Sequence, residues 1–145
     1  MTYLNQFDLS LWQACDTYYE EHQTLCLQLQ DEHEVNINLL LLSTWLDKQA
    51  YRLLPQAWLQ LTQEMLHWEQ RVLLPFRKLR KLSKNHLAST EYQQMLEVEL
   101  MLERKSQALI LHKLKQLPHE GTRSNFEVLF ELYQLKSSDY DVLSA

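Results

Sequence analysis

A single glycine, Gly121, in 145 residues is the tightest constraint on what this chain folds into. An average chain of this length carries about 10. Glycine-rich phosphate loops, dinucleotide-binding fingerprints and tight hairpins that need Gly at positive φ are therefore excluded. The apolar residues point the same way, because 32 leucines stand beside only seven valines and isoleucines, a ratio that favours helices and starves strands. The expectation is an all-α fold, a single compact bundle of five to six helices with one proline-kinked helix. Residues 1–135 would form the one domain and 136–145 a flexible C-terminal tail. A chain this long buries about 68–70% of the surface its unfolded form exposes, enough for one core without disulfides.

Residues Met1 to Asp8 contain no basic stretch followed by an apolar one, so no secretory leader is expected. The longest apolar runs, Leu39–Leu42 and Ala108–Leu111, fall far below the roughly 18 residues of a membrane span. The expected protein is cytoplasmic, with no membrane partner and with Cys15 and Cys26 as reduced thiols on helical faces. Its net charge of −5 hides a segregation. Residues 1–34 hold Asp8, Asp16, Glu20, Glu21, Asp31, Glu32 and Glu34 with no Lys or Arg, whereas 71–86 hold Arg71, Arg77, Lys78, Arg80, Lys81 and Lys84 with no acid.

Hydrophobic spacing predicts a first helix from about Asp8 to Glu21 and a short second one from Thr24 to Glu32. Asn36 is placed to cap a third, whose Leu39–Leu42, Trp45 and Leu46 are apolar nearly all round, as in a helix at the centre of a bundle. Pro55 suits a first helical turn. From there Trp58, Leu61, Met65, Trp68, Val72, Pro75, Leu79 and Leu82 follow an alternating 3 and 4 spacing, which predicts one continuous helix kinked at Pro75, with a clean break at Leu74 as the alternative and Leu79 and Leu82 on the core side. The carbonyl of Arg71 would lose its bond there. Thr90 with Gln93 has capping-box spacing and would open a long helix to about Leu117; Ser124 with Glu127 would open a last one.

Chemistry-bearing constellations are few. On the long helix Glu99 and Glu103 fall one turn apart inside an apolar stripe, where burial is costly without cations, hydrogen bonds or a metal. Arg71 and Arg77 are the expected cations. Glu64 and His67 make one Glu-x-x-His spacing, but di-metal bundles need two such motifs, so no metal site, catalytic group or cofactor is assigned. Five bases in Arg77–Lys84 make a surface for partners: Arg77, Lys78, Arg80, Lys81 and Lys84.

The segments Leu25–His33, Asn36–Leu41 and Trp45, then Trp68, Val72, Pro75, Arg77 and Arg80 as a Val-x-x-Pro-x-Arg-x-x-Arg core, then Glu99, Leu100 and Glu103, together resemble a family of small, all-helical proteobacterial proteins. That family is known only as conserved hypothetical, a domain of unknown function. The resemblance covers about residues 7–114, with Phe126 onward an individual extension. Where the family pattern has a glycine after the histidine, this chain has Glu34; in place of a Pro-Gly turn it has Glu20–Gln23. The resemblance implies a helical fold and gathers a largely polar set that would converge in the bundle: Asp31, His33, Asn36, Asn38, Trp68, Arg77, Arg80, Glu99 and Glu103; the expected buried polar cluster is Asp31, His33, Asn36, Asn38, Arg77, Glu99 and Glu103 with Arg71 beside them.

The expected function is a non-enzymatic adaptor or regulator that docks a protein partner through the basic helix or the acidic amino-terminal face. The rival is a ligand- or metal-binding bundle enzyme using Glu64, His67, His33, Glu99 and Glu103. A third reading is association with RNA or the ribosome. Four tryptophans and seven tyrosines leave material for a homodimer seam.

Overall fold

The computed structural model describes residues 10–144, all of whose regular structure is helical. In chain order the helices are α1 (Leu11–Glu21), α2 (Gln23–His33), α3 (Ile37–Lys48), α4 (Pro55–Trp68), α5 (Leu74–Ser83), α6 (Ser89–Leu114) and α7 (Asn125–Leu132), then a single turn, α8 (Asp141–Ser144). Seven of these have at least eight residues, one more than expected, but α4 and α5 are joined without a break and act as one rod. The expected start of the first helix at Asp8 lies outside the described residues.

Helix α3 is the centre of the bundle, as its apolar circumference requires. Leu39, Leu40, Leu41, Leu42 and Leu46 are all buried, and α3 packs against α1, α2, α6 and α7. Its start is fixed by Asn36, whose Oδ1 accepts the Leu39 N–H at 3.1 Å. The α4 residues Trp58, Leu61 and Met65 complete the core from the other side.

With one glycine available, three helix ends adopt left-handed backbone on other residues: Glu34 (φ 55°), Ala50 (φ 54°) and Gln134 (φ 58°). At the last two, the next amide reaches back five residues, Tyr51 to the Leu46 carbonyl and Leu135 to that of Phe130, both at 3.0 Å. Glu34 stands where the resemblance in the sequence leads to the expectation of a glycine. A Cβ in this region costs roughly 1 kcal/mol or more. Glu34→Gly and Ala50→Gly are each expected to raise stability by about 0.5–1 kcal/mol in urea titrations, and a loss in both would overturn this reading. The one glycine is spent on close approach instead. A Cβ at Gly121 would lie 2.7 Å from the Leu53 carbonyl carbon, while the Gly121 N–H donates to the Arg52 carbonyl at 2.9 Å.

Three expectations are corrected. The long helix starts at Ser89, not Thr90: the Ala88 N–H donates to the Glu91 carboxylate at 2.8 Å, so Glu91 rather than Gln93 closes the first turn. Of the segment 136–145, expected as a flexible tail, Ser137–Tyr140 form a 3₁₀ turn and Asp141–Ser144 form α8, with Leu143 fully buried and Tyr140 packed on Phe130; residue 145 lies outside the described residues. The third concerns the phase of α5. The rod does run unbroken through Pro75, but by way of a π-helical turn over Glu69–Leu73, in which the Leu74 N–H bonds the Glu69 carbonyl, five residues back. That wider turn absorbs one extra residue, which rotates everything after it by about 100°. The 3 and 4 seam consequently moves up by one position. Leu73 is buried and Phe76, Arg80 and Ser83 turn inward, while Leu79 and Leu82 are 54% and 65% exposed.

Candidate functional site

The displaced seam makes α5 and the first half of α6 an antiparallel arm. No residue of α5 is buried and the buried residues of α6 begin at Ser106, so the arm has no fully buried core of its own; Phe76, Met95, Leu96 and Leu102 are half-buried. Ion pairs join its two helices. Arg80 grips Glu99 with two bonds, Nε to Oε1 at 2.6 Å and Nη2 to Oε2 at 3.2 Å. Arg77 donates to Glu103 Oε1 at 3.0 Å and stands 3.8 Å from Glu99. The Arg77, Arg80 and Glu99 side chains are only 14–17% exposed, against 37% for Glu103. The Glu99 hydrogen bond, and its charge, raise the Arg80 pKa further.

Of the five bases expected to meet a partner, Arg77 and Arg80 are thus turned inward, and Lys84 leans over the Tyr92 ring with Nζ 6.0 Å from its centroid. Lys78 and Lys81 remain on the outer side with Leu79 and Leu82. This outward face is apolar at its centre and basic at its edge.

Between the arm and α1–α2 lies a cleft of about 460 Å³. Its floor includes Leu41, Leu73 and Val35, and its rim carries Leu66, Leu74 and Leu100, which are 43–51% exposed. Of the expected polar cluster, Asn36, Asn38, Arg77 and Glu103 reach this cleft. Glu99 stands behind Arg77 in the arm. Asp31, His33 and Arg71 do not join: all three are exposed, the first two on the outer side of α2 and Arg71 on the π-turn. Asn38 Oδ1 accepts from Gln107 Nε2 at 3.3 Å, and Gln107 Oε1 accepts from Arg104, which also pairs with Asp16 at 3.1 Å.

Glu69 was not foreseen. It opens the π-turn, and its Oε1 accepts from Asn36 Nδ2 at 2.7 Å, while the Asn36 N–H donates to the Tyr133 hydroxyl at 3.1 Å. Burial raises the Glu69 pKa, against the lowering effect of the Asn36 bond and the Arg77 charge. An acid so raised holds its proton more tightly folded than unfolded, so its contribution to stability falls as pH rises through the folded-state pKa. Glu69→Gln keeps an oxygen for Asn36 and removes the charge. It is expected to unfold at higher temperature than the wild type at pH 7, with the difference closing below pH about 4, where both side chains are neutral; a neutral-pH loss would overturn this.

Glu64 and His67 contribute nothing to the cleft: Glu64 pairs with Lys113 at 3.6 Å and His67 is exposed. Among the described residues no three His, Cys, Asp or Glu side chains come together as a metal would require. Cys15 and Cys26 are buried thiols, with burial pushing their pKa up to about 12 and about 11, so neither supplies a thiolate at neutral pH.

The residues that form this arm and cleft are also those a family model recognises, over residues 10–110. The chain belongs to the family described as "Protein of unknown function (DUF2390)". The match takes in the π-turn, Pro75, both arginines and both glutamates of the arm, so those features fall within the DUF2390 domain; α7 and α8 lie beyond it. Neither a search of curated proteins nor one of solved structures returns a match. No helix among the described residues is long and apolar enough to cross a membrane.

Proposed function

We propose that this DUF2390 protein is a non-enzymatic cytoplasmic interaction protein, an adaptor or regulator, whose working surface is the outer face of α5. The observation that carries the reading is the exposure of Leu79 and Leu82, at 54% and 65%, beside Lys78 and Lys81. Two adjacent leucines left in water on a helix whose charged neighbours could have covered them are an unspent apolar surface. Such a face fits a protein surface with an apolar centre and acidic edges. The inward pairing of Arg77 and Arg80 with carboxylates removes two of the cations that a phosphate backbone would need, which favours a protein partner over RNA.

The test compares tagged wild type with Leu79→Glu/Leu82→Glu in capture from native extract, with and without nuclease. Both leucines are exposed, so the variant is expected to keep its helicity by circular dichroism and to lose a nuclease-resistant partner. Identical capture by both proteins overturns the α5 face; recovery that vanishes with nuclease moves the function to RNA or the ribosome.

A further inference from the structure

We infer that the partner of the α5 outer face is a second copy of this chain, received by the cleft between the arm and α1–α2. This rests on the reading of α5 as the docking surface and names what docks.

The two surfaces are complementary in both respects that matter. The α5 face presents two leucine side chains edged by Lys78 and Lys81. The cleft presents an apolar floor and a leucine rim, with carboxylates in its walls. Its two arginines are already engaged, Arg77 by Glu103 and Arg104 by Asp16. Glu20 and Glu34 therefore leave the cleft mouth with an uncompensated negative charge, and both are exposed. Because no Lys or Arg occurs before residue 48, the wall made by α1 and α2 contains no cation to oppose an incoming lysine.

Knob and socket are different patches of the same molecule, so the contact is heterologous: each copy offers α5 to one neighbour and its cleft to another. Such contacts close into rings or extend as open chains. Lysine and glutamate at the edges set register and speed encounter, and the leucines supply the burial. The assembly should therefore loosen at high salt without disappearing, since screening acts on the edge charges and not on the apolar contact.

The test is sedimentation velocity on the full chain across a dilution series, with two charge reversals at exposed positions, Lys78→Glu/Lys81→Glu on the knob and Glu20→Lys/Glu34→Lys on the socket. Circular dichroism first establishes that both variants are folded. Wild type is expected to show mass rising with concentration, and each variant alone to stay at monomer mass, since like charges then meet at every contact. An equimolar mixture of the two is expected to recover association, because the knob of each now faces a socket of opposite sign. A wild type that stays monomeric at every concentration overturns the inference, as does a socket variant that associates normally, which would indicate α5 pairing with α5. If the wild type is monomeric yet still captures a foreign protein that the Leu79→Glu/Leu82→Glu variant loses, the second copy is ruled out while α5 stands as the docking surface.

Discussion

Asn125→Ala is expected to lower the free energy of unfolding by about 3–5 kcal/mol, a large share of the 5–15 kcal/mol typical of a domain. Asn125 is fully buried, and its short side chain serves three separate groups. Oδ1 accepts from the Leu53 N–H and from Trp58 Nε1, both at 2.9 Å, and Nδ2 donates to the Tyr51 carbonyl at 2.8 Å. Truncation removes the acceptor of two buried donors and a donor to one carbonyl, each loss costing about 1–3 kcal/mol, less than additively where water enters. Urea titration should show a lower midpoint at unchanged slope. Trp58→Phe, which removes one donor, should cost less, and the double variant less than the sum. Asn125→Asp separates hydrogen bonding from shape: a carboxylate serves both donors but meets the Tyr51 carbonyl with a lone pair, whereas its protonated form donates to it. Its stability relative to wild type should therefore improve as pH falls; an Asp variant insensitive to pH would sink this account.

The same asparagine marks where sequence reading stopped. Ser124 is visible as a cap because capping is local, and its Oγ does accept the Glu127 N–H at 3.4 Å. Asp47, 77 residues earlier, completes that helix start by accepting the Asn125 and Phe126 amides at 2.8 and 3.2 Å, and no spacing rule encodes such a pairing. Asn36 was legible as a cap for the same local reason as Ser124; its second bond, to Glu69, was not. Leucine density around α3 was enough to place it at the centre, because a helix apolar all round has nowhere else to go.

The phase error in α5 has a different origin. Leu79 and Leu82 continue the 3 and 4 spacing that begins at Trp58, so on paper they belong to the same seam. A π-turn changes the count by one residue and leaves the residue types untouched. The signal that bore on it is Pro75, which cannot donate and whose ring presses on the carbonyl of Arg71 four residues back. Proline announces a distortion without saying whether it is resolved by a bend or by a wider turn. Once the seam is moved up by one, Arg77 and Arg80 face α6, and the charge segregation read as a surface for partners becomes in part an internal zipper. Glu99 and Glu103, suspected for lying on an apolar stripe, are its other half.

Glu99→Ala is expected to cost about 2 kcal/mol and to do so in one place. Glu99 accepts both bonds from Arg80 and stands near Arg77, in a setting only 14–17% exposed, where a hydrogen bond to a charged group is worth about 1.5–3 kcal/mol. Because α5 buries no residue of its own, losing this grip should detach the arm without unfolding the bundle. Hydrogen exchange is the discriminating measurement: amides of 74–83 should lose protection while those of α3 keep theirs. Arg80→Ala should match it, and a double-mutant cycle should return a coupling near the cost of either single change, since both remove the same pair. Arg77→Ala should cost less, because its nearer partner Glu103 is 37% exposed and readily rehydrated. A detached arm also no longer holds Leu79 and Leu82 in register, so Glu99→Ala should weaken whatever the outer face binds even though Glu99 itself faces inward. Unchanged protection of α5 in Glu99→Ala would mean that the arm is held by something other than its ion pairs, and would remove the link between the π-turn, the zipper and the surface it presents.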